Sequence, residues 1–272
     1  MWGIDTATDY RDVIGPVKNM FGVTPDFVGR YIGEYVINRE ERSFILEGGT
    51  RLFLIENRVT GSSVLGSFYQ GSTLAKETIK YVRYMLGDCP PMVPIFLDIE
   101  QTWEPSAAFL AGWFGTVWNN IYAPGIYFPA TNPSVYDTVM SVVKHLPFDV
   151  WLWSSEPELY SWKDTRRATV DVPVPVDIHQ YWENSINGLV DLDACTTQMY
   201  QSMWSAPEPV SIHHPTQSIG LKPTPAHGGK NTLMLGPHAN VEFTGRRYRE
   251  WVYVEAANLP GWVLGAQLQP KL

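Results

Sequence analysis

The sequence predicts an α/β protein, a TIM-like (β/α)8 barrel over residues 1–205 followed by a small all-β unit. Three observations carry that expectation. Eight short apolar runs alternate with helical periods over the first two hundred residues or so, close to the lower size of about 200 for such a barrel. The runs are continuously hydrophobic, as strands buried on both faces of a parallel sheet are. Near Ala206 the composition changes: residues 205–225 (SAPEPVSIHHPTQSIGLKPTP) are rich in Pro, Ser and His, and short alternating runs follow. A doubly wound open sheet is the competing architecture, but no glycine-rich phosphate loop follows any strand, which counts against nucleotide binding.

The strands are read at residues 2–5 (WGID), 30–33 (RYIG), 51–56 (RLFLIE), 93–100 (VPIFLDIE), 124–128 (PGIYF), 149–154 (DVWLWS), 176–182 (VDIHQYW) and 189–194 (LVDLDA). Between them, Ala75, Thr78, Ile79, Val82, Met85 and Leu86 recur at helical spacing, and Gly87 supplies a left-handed stop. Leu110, Trp113, Phe114, Val117 and Trp118 form a second stripe, with Pro105 placed at its first helical position. A third helix starts at Pro133 with Asn132 as its cap. The stretches Asp12–Lys18 and Val36–Thr50 match no pattern. Residues 206–216 read as a linker, and 217–272 as a small barrel of short strands.

The charge balance narrows the partners. With 20 Lys and Arg against 28 Asp and Glu the net charge is -8, and no basic run offers a phosphate-binding face, so no nucleic acid is expected. No apolar run reaches the ~18 residues of a membrane span, so no membrane insertion is expected. Trp2 already belongs to the first strand, leaving no room for a signal peptide; action outside the cell then requires export by another route or release on lysis. Cys89 and Cys195 match no metal spacing and read as buried thiols.

Acids collect where the strands end. Asp5 ends the first, Glu56 the third, Asp98 and Glu100 the fourth, and Asp191 lies in the last with Asp193 two residues on. Residues two apart on a strand share a face, so Asp98 and Glu100 point the same way, about 6.6–7 Å apart along the backbone, while Ile99 packs opposite. Asp5 and Asp191 reach the same mouth if the first and eighth strands are neighbours. Crowded carboxyls raise one another's pKa, and a protonated acid beside ionised ones is what glycosidic bond cleavage needs. Tyr31, Tyr127, Trp153 and Tyr181 lie at or near strand ends and offer flat surfaces to a sugar ring, and Gln180 can orient a hydroxyl or acetamido group. Carboxylates can also hold Mg or Ca, but His179 is the only histidine inside a barrel strand, where it reads as a core residue or one that supports a site residue. No metal and no other cofactor is expected.

These residues carry a resemblance. GIDTAT (3–8), FLDIE (96–100), PGIYF (124–128), VWLWS (150–154) and HQYWENSINGLVDLDA (179–194) resemble glycoside hydrolase family 25, the lysozyme-type muramidases, and more loosely related glycoside-hydrolase-like bacterial barrels. The resemblance implies Glu100 as general acid, Asp98 as its carboxylate partner or as the group that orients an acetamido substituent, and Asp5 and Asp191 as supporting acids. It also implies a barrel closed by a hairpin, and cleavage between N-acetylmuramic acid and N-acetylglucosamine in peptidoglycan. The tail EWVYVEAANLPGWVLGAQL (250–268) is similar to bacterial Src-homology-3-like domains, which implies a cell-wall-binding module. The chain is thus expected to be a peptidoglycan hydrolase of the cell-wall lysin type, with two alternatives: a barrel that binds glycan without cleaving it, and a hydrolase of another polysaccharide.

Overall fold

The computed structural model describes residues 1–33, 36–87, 89–100, 102–155, 157–170, 175–208 and 211–270. It divides into two compact units, Met1–Ser205 and Ala206–Leu272.

The first unit is a closed eight-stranded barrel in sequence order: β1 (Trp2–Thr6), β2 (Phe27–Tyr31), β3 (Arg51–Glu56), β4 (Pro94–Asp98), β5 (Ala123–Phe128), β6 (Trp151–Ser154), β7 (Ile178–Asn184) and β8 (Val190–Cys195). Helices α1 (Tyr10–Phe21), α2 (Arg39–Glu47), α3 (Phe68–Leu86), α4 (Ala107–Asn119) and α5 (Pro133–Val143) connect β1 through β6. The outcome departs from a regular (β/α)8 barrel in one respect. Among the described residues β6 reaches β7 through a single 3-10 turn, Tyr160–Trp162, and β7 turns back into β8 as a hairpin, so β8 runs antiparallel to both β7 and β1.

Of the two stretches without a readable pattern, Asp12–Lys18 lies inside α1 and Val36–Thr50 contains α2. Gly15 and Pro16 interrupt the apolar period of α1, which is nevertheless capped by Asp9 and buries Tyr10, Val13 and Val17. In α2 one of the three buried positions is Glu41. Its carboxylate accepts from Arg30 Nε at 2.5 Å and from the Tyr10 amide at 2.8 Å, and Arg30 also donates to the carbonyl of Thr6. A charged residue thus occupies a core position and conceals the stripe. Pro105 precedes its helix and does not start it: Ser106 is the cap, accepting from the Phe109 amide at 3.1 Å. Strand β2 begins at Phe27, earlier than expected, because Phe27 and Val28 are both fully buried in the barrel wall.

The barrel is filled, not hollow. Phe27, Phe53, Phe96 and Trp153 meet in one layer, with ring centroids 5.2–6.1 Å apart. Neighbouring strands supply glycines where these rings lie. A Cβ on Gly3 would sit 2.4 Å from the Phe27 ring, and one on Gly125 would sit 2.6 Å from the Phe96 ring. Large and small residues alternate around the wall, and the rings form a dry floor beneath the carboxyl ends of β1–β7.

The second unit is a five-stranded antiparallel sheet in the order β14-β13-β12-β9-β15 with a two-stranded pair β10-β11: β9 (Ser211–Pro215), β10 (Ile219–Leu221), β11 (Leu233–Leu235), β12 (Val241–Tyr248), β13 (Trp251–Ala256), β14 (Leu259–Leu264) and β15 (Leu268–Pro270). Ser211–Pro215, expected in a linker at 206–216, instead pairs with both β12 and β15 and belongs to the sheet; Pro209 and Val210 of the expected linker, and 271–272 of the expected small barrel at 217–272, lie outside the described residues. The core of this unit is built from Ile219, Leu221, Leu235, Val241, Val252, Val254, Ala256 and Val263.

Helices α3 and α4 touch backbone to backbone. A Cβ on Gly112 would lie 2.0 Å from the carbonyl oxygen of Phe68, whereas one on Gly115 in the same helix meets nothing within 4 Å. Gly112→Ala is therefore expected to cost about 3 kcal/mol by forcing the helices apart. Gly115→Ala should stabilise by about 0.5–1 kcal/mol through the smaller entropy loss on folding. Urea unfolding of the two variants measures both, and equal effects would refute the close crossing.

Candidate active site

The hairpin β7–β8 determines where the acids lie. Because β8 runs antiparallel to β1, Asp5 pairs with Asp191 and Gly3 with Asp193. The amino end of β8 therefore joins the carboxyl ends of the parallel strands: Asp191 lies at the mouth and Asp193 lies one layer deeper. Gly3 opposite Asp193 has no side chain to crowd it.

The resulting cluster is graded by depth. Asp193 is fully buried; its Oδ1 accepts from Trp153 Nε1 at 3.0 Å. Among the described residues its other oxygen has no nitrogen or hydroxyl donor and faces the Asp5 carboxyl, an arrangement that bonds only when a proton sits between the two acids. Burial first, then the charges of Asp5 and Asp191, push Asp193 well above the ordinary carboxylate range. Asp5 is 1% exposed and is pushed up to about 6 by burial, against hydrogen bonds from Gln180, Asp193 and Tyr31 that favour its ionised form. Asp191 is raised to about 7 by burial and then by Asp5, while the Asn184 amide, 2.6 Å from Oδ1, works the other way.

Asp98 and Glu100 divide as strand alternation requires. Asp98 ends β4 facing inward, is 7% exposed, and is raised to about 8 by burial, then by Glu100 and Glu56; its Oδ1 has no hydrogen-bond partner among the described residues. Ile99 is buried on the other side, its amide still donating to Tyr127 O at 2.9 Å. Glu100 has left the ladder and is exposed at the rim, where with Thr102, Tyr127 and Glu183 it lines a recess of about 280 Å³.

Several expected roles change. Gln180 is buried, and its amide is engaged with the acids: Nε2 donates to Asp5 at 3.0 Å and Asp191 at 3.1 Å, and Oε1 accepts from Tyr127 Oη at 2.6 Å. It positions carboxyls and has no polar atom left for a substrate. Trp153 is 1% exposed, within the ring floor, so it offers no stacking surface. Tyr181 points out of the barrel; its hydroxyl donates to Thr165 O at 2.8 Å and accepts from Trp2 Nε1 at 3.0 Å, which places it in the wall. Tyr31, whose hydroxyl donates to Asp5 at 3.3 Å, and Tyr127 are the half-buried aromatics of the mouth. Glu56 faces the outside of β3, held by Thr78 Oγ1 at 2.5 Å and by Arg58 Nη2 at 2.6 Å. His179 is buried with Nε2 2.8 Å from Pro157 O, a core position. Among the described residues, no group of three or more His, Cys, Asp and Glu is arranged to hold a metal ion.

Sequence reading noted Asp193 without giving it a role and passed over Glu183. An acid two residues beyond Asp191 on one strand face was the available signal for the first. Glu183 had none, because its direction depends on a bulge: β7 and β8 shift register between Gln180 and Trp182.

The raised Asp98 pKa fixes the sign of a stability effect. The folded protein keeps this proton up to about pH 8, whereas the unfolded chain releases it near the ordinary value of 3.8. Folding is therefore favoured by this group below pH 4, and that contribution is lost as pH rises to 8. Asp98→Asn, which cannot ionise, should stabilise the protein relative to the unaltered chain by an amount that grows between pH 4 and pH 8, reaching the order of a few kcal/mol. Chemical denaturation across that range checks it; a difference independent of pH would show that Asp98 ionises normally.

No protein-family model matches the sequence, and no curated protein matches it. Solved structures do. An uncharacterised protein of B. stearothermophilus aligns with a TM-score of 0.66 at 21% identity, over 75% of this chain and 100% of its own. The spore cortex lytic enzyme SleM of Clostridium perfringens aligns with a TM-score of 0.52 at 10% identity, over 99% of this chain and 98% of its own. A Tat-secreted protein of Mycobacterium tuberculosis, crystallised with HEPES, aligns with a TM-score of 0.50 at 15% identity, over 72% of this chain and 95% of its own. At these identities the likeness is one of fold: the chain shares its architecture with these proteins.

Proposed function

We propose that the barrel unit is a glycoside hydrolase that cuts peptidoglycan glycan strands, of the N-acetylmuramidase type, with Glu100 as the general acid. The observation that carries this reading is the tiered acid cluster, with Asp193, Asp5, Asp191 and Asp98 held below a rim on which Glu100 opens to solvent in a recess. Glycosidic cleavage needs one carboxyl that can reach the leaving oxygen and an environment that stabilises the positive charge of an oxocarbenium-like transition state. Glu100 meets the first need by position. The cluster below meets the second, because its ionised members are held by Gln180, Tyr31 and the Asn184 amide.

Asp98 takes the second of its two expected roles. Raised to about 8, it is protonated at neutral pH and acts as a hydrogen-bond donor, suited to the carbonyl of an acetamido group and not to charge stabilisation. Tyr31 and Tyr127 provide the aromatic contact for the sugar. The likeness to a spore cortex lytic enzyme along both units supports a cell-wall substrate. The second unit is proposed as the wall-binding module: holding the barrel on an insoluble polymer raises its effective concentration without new contacts at the active site. No described helix is long and apolar enough to cross a membrane.

Glu100→Gln should lower the release of reducing ends from purified cell walls by about 10²–10⁴-fold, the usual contribution of general acid catalysis, with an unchanged circular dichroism spectrum. Undiminished release by the folded variant would remove Glu100 from the reaction. Binding of walls by the unaltered protein without any product would favour a glycan-binding barrel. Removing Ala206–Leu272 should reduce activity on insoluble walls more than on soluble glycan fragments; equal loss on both substrates would deny the second unit a targeting role.

A further inference from the structure

We infer that Glu183 is the second catalytic carboxylate of the mouth, the base that activates a water molecule opposite Glu100. The inference rests on the hydrolase reading and names a residue and a stereochemical course which that reading leaves open.

The bulge in β7 is the first observation. Gln180 faces into the barrel, opposite Asp193. Strict alternation would then turn Trp182 inward and Glu183 outward. The register shift inserts Tyr181 as an extra residue, so Trp182 falls opposite Leu192, which lies on the outer face between Asp191 and Asp193. Glu183 is thereby turned inward at the level of the rim. Bulges that re-aim one side chain beside a functional site are a recurrent device.

The recess is the second observation. Glu183 and Glu100 line the same cavity of about 280 Å³, with Tyr127 and Thr102 completing it. A carboxylate that acts through water needs such a gap, since the water itself occupies about 30 Å³. The other acids are less well placed. Asp5 and Asp193 lie at 1% and 0% exposure under the mouth, and Asp98 holds its proton at neutrality and cannot accept one. Asp191 has Oδ1 engaged by the Asn184 amide and Oδ2 by Gln180. Glu183 is half-buried, and its charge reaches Tyr127, where it helps raise the phenol.

The step balances. Water oxygen bonds to the anomeric carbon as one water proton passes to the Glu183 carboxylate. The glycosidic carbon–oxygen bond breaks, its electron pair stays on the leaving oxygen, and that oxygen takes the proton of Glu100. Proton exchange with solvent resets both residues. Attack from the face opposite the leaving group inverts the anomeric centre.

The test uses the full chain on soluble glycan strands prepared from cell walls. Glu183→Gln should lower kcat about 10²–10⁴-fold with KM little changed and should remove the acidic limb of the kcat profile. Glu183→Ala should recover turnover in added azide and yield a glycosyl azide, which a merely structural role would not do. Proton NMR of the first-formed product should show inversion. Turnover by the unaltered protein with kcat kept by Glu183→Gln, or retention of configuration, would overturn the assignment of Glu183 alone. Absence of turnover by the unaltered protein would overturn the hydrolase reading, and this assignment with it.

Discussion

The antiparallel pairing of β8 with β1 is the constraint on which the rest of the structure depends. In a parallel eighth strand the later of two acids would stand nearer the mouth, and the chain would need a crossover to bring it there. Reversing the strand through a hairpin puts Asp191 beside Asp5 just below the rim and sends Asp193 one layer down beside Gly3. The same hairpin carries Gln180, whose amide bridges Asp5 and Asp191, and the bulge that turns Glu183 inward. One local change of direction thus positions four of the polar groups of the mouth, Gln180, Glu183, Asp191 and Asp193.

Electrostatics then decides how those groups are charged. Two unit charges 4 Å apart repel by about 4 kcal/mol even at an effective dielectric of 20. A typical hydrogen bond contributes about 0.5–1.5 kcal/mol net. The donors around the cluster, Trp153, Gln180, Tyr31 and the Asn184 amide, therefore cannot keep every carboxyl ionised at once. The lower cost is a shared proton, and the deepest group keeps it: Asp193 is raised well above the carboxylate range, whereas Asp5, which has more donors, is raised to about 6.

Much of this was legible in the sequence, and the exceptions have identifiable physical causes. Uninterrupted apolar runs marked eight strands, because both faces of each strand are buried. The D-x-E ending of β4 gave the alternation of Asp98, Ile99 and Glu100, because a period of two is a local property. Helices α1 and α2 were hidden by Pro16 in one and by the buried Glu41 in the other, whose partner Arg30 lies on a different element. Aromatics were the weakest reading. Trp153 and Tyr181 end hydrophobic runs just as Tyr127 does, but their exposure depends on what packs above them, which no spacing reveals. Glu183 was invisible for the same kind of reason: its direction depends on a register fault that exists only between two paired strands.

The filled interior limits how a polymer can approach. Phe27, Phe53, Phe96 and Trp153 close the barrel below the acids and leave no room for a ligand inside it. In the proposed reading a glycan strand lies across the rim, where Glu100 and Thr102 beyond β4, Tyr127 at the end of β5 and Glu183 near the end of β7 line the recess. Asp5, Asp191 and Asp193 then act through field and through the donors they hold, while Asp98 reaches an acetamido group from below. On that reading, depth divides the site: the ring floor and the buried carboxyls set the charge of the mouth, while Glu100, Thr102, Tyr127 and Glu183 are what a polymer laid across it would meet.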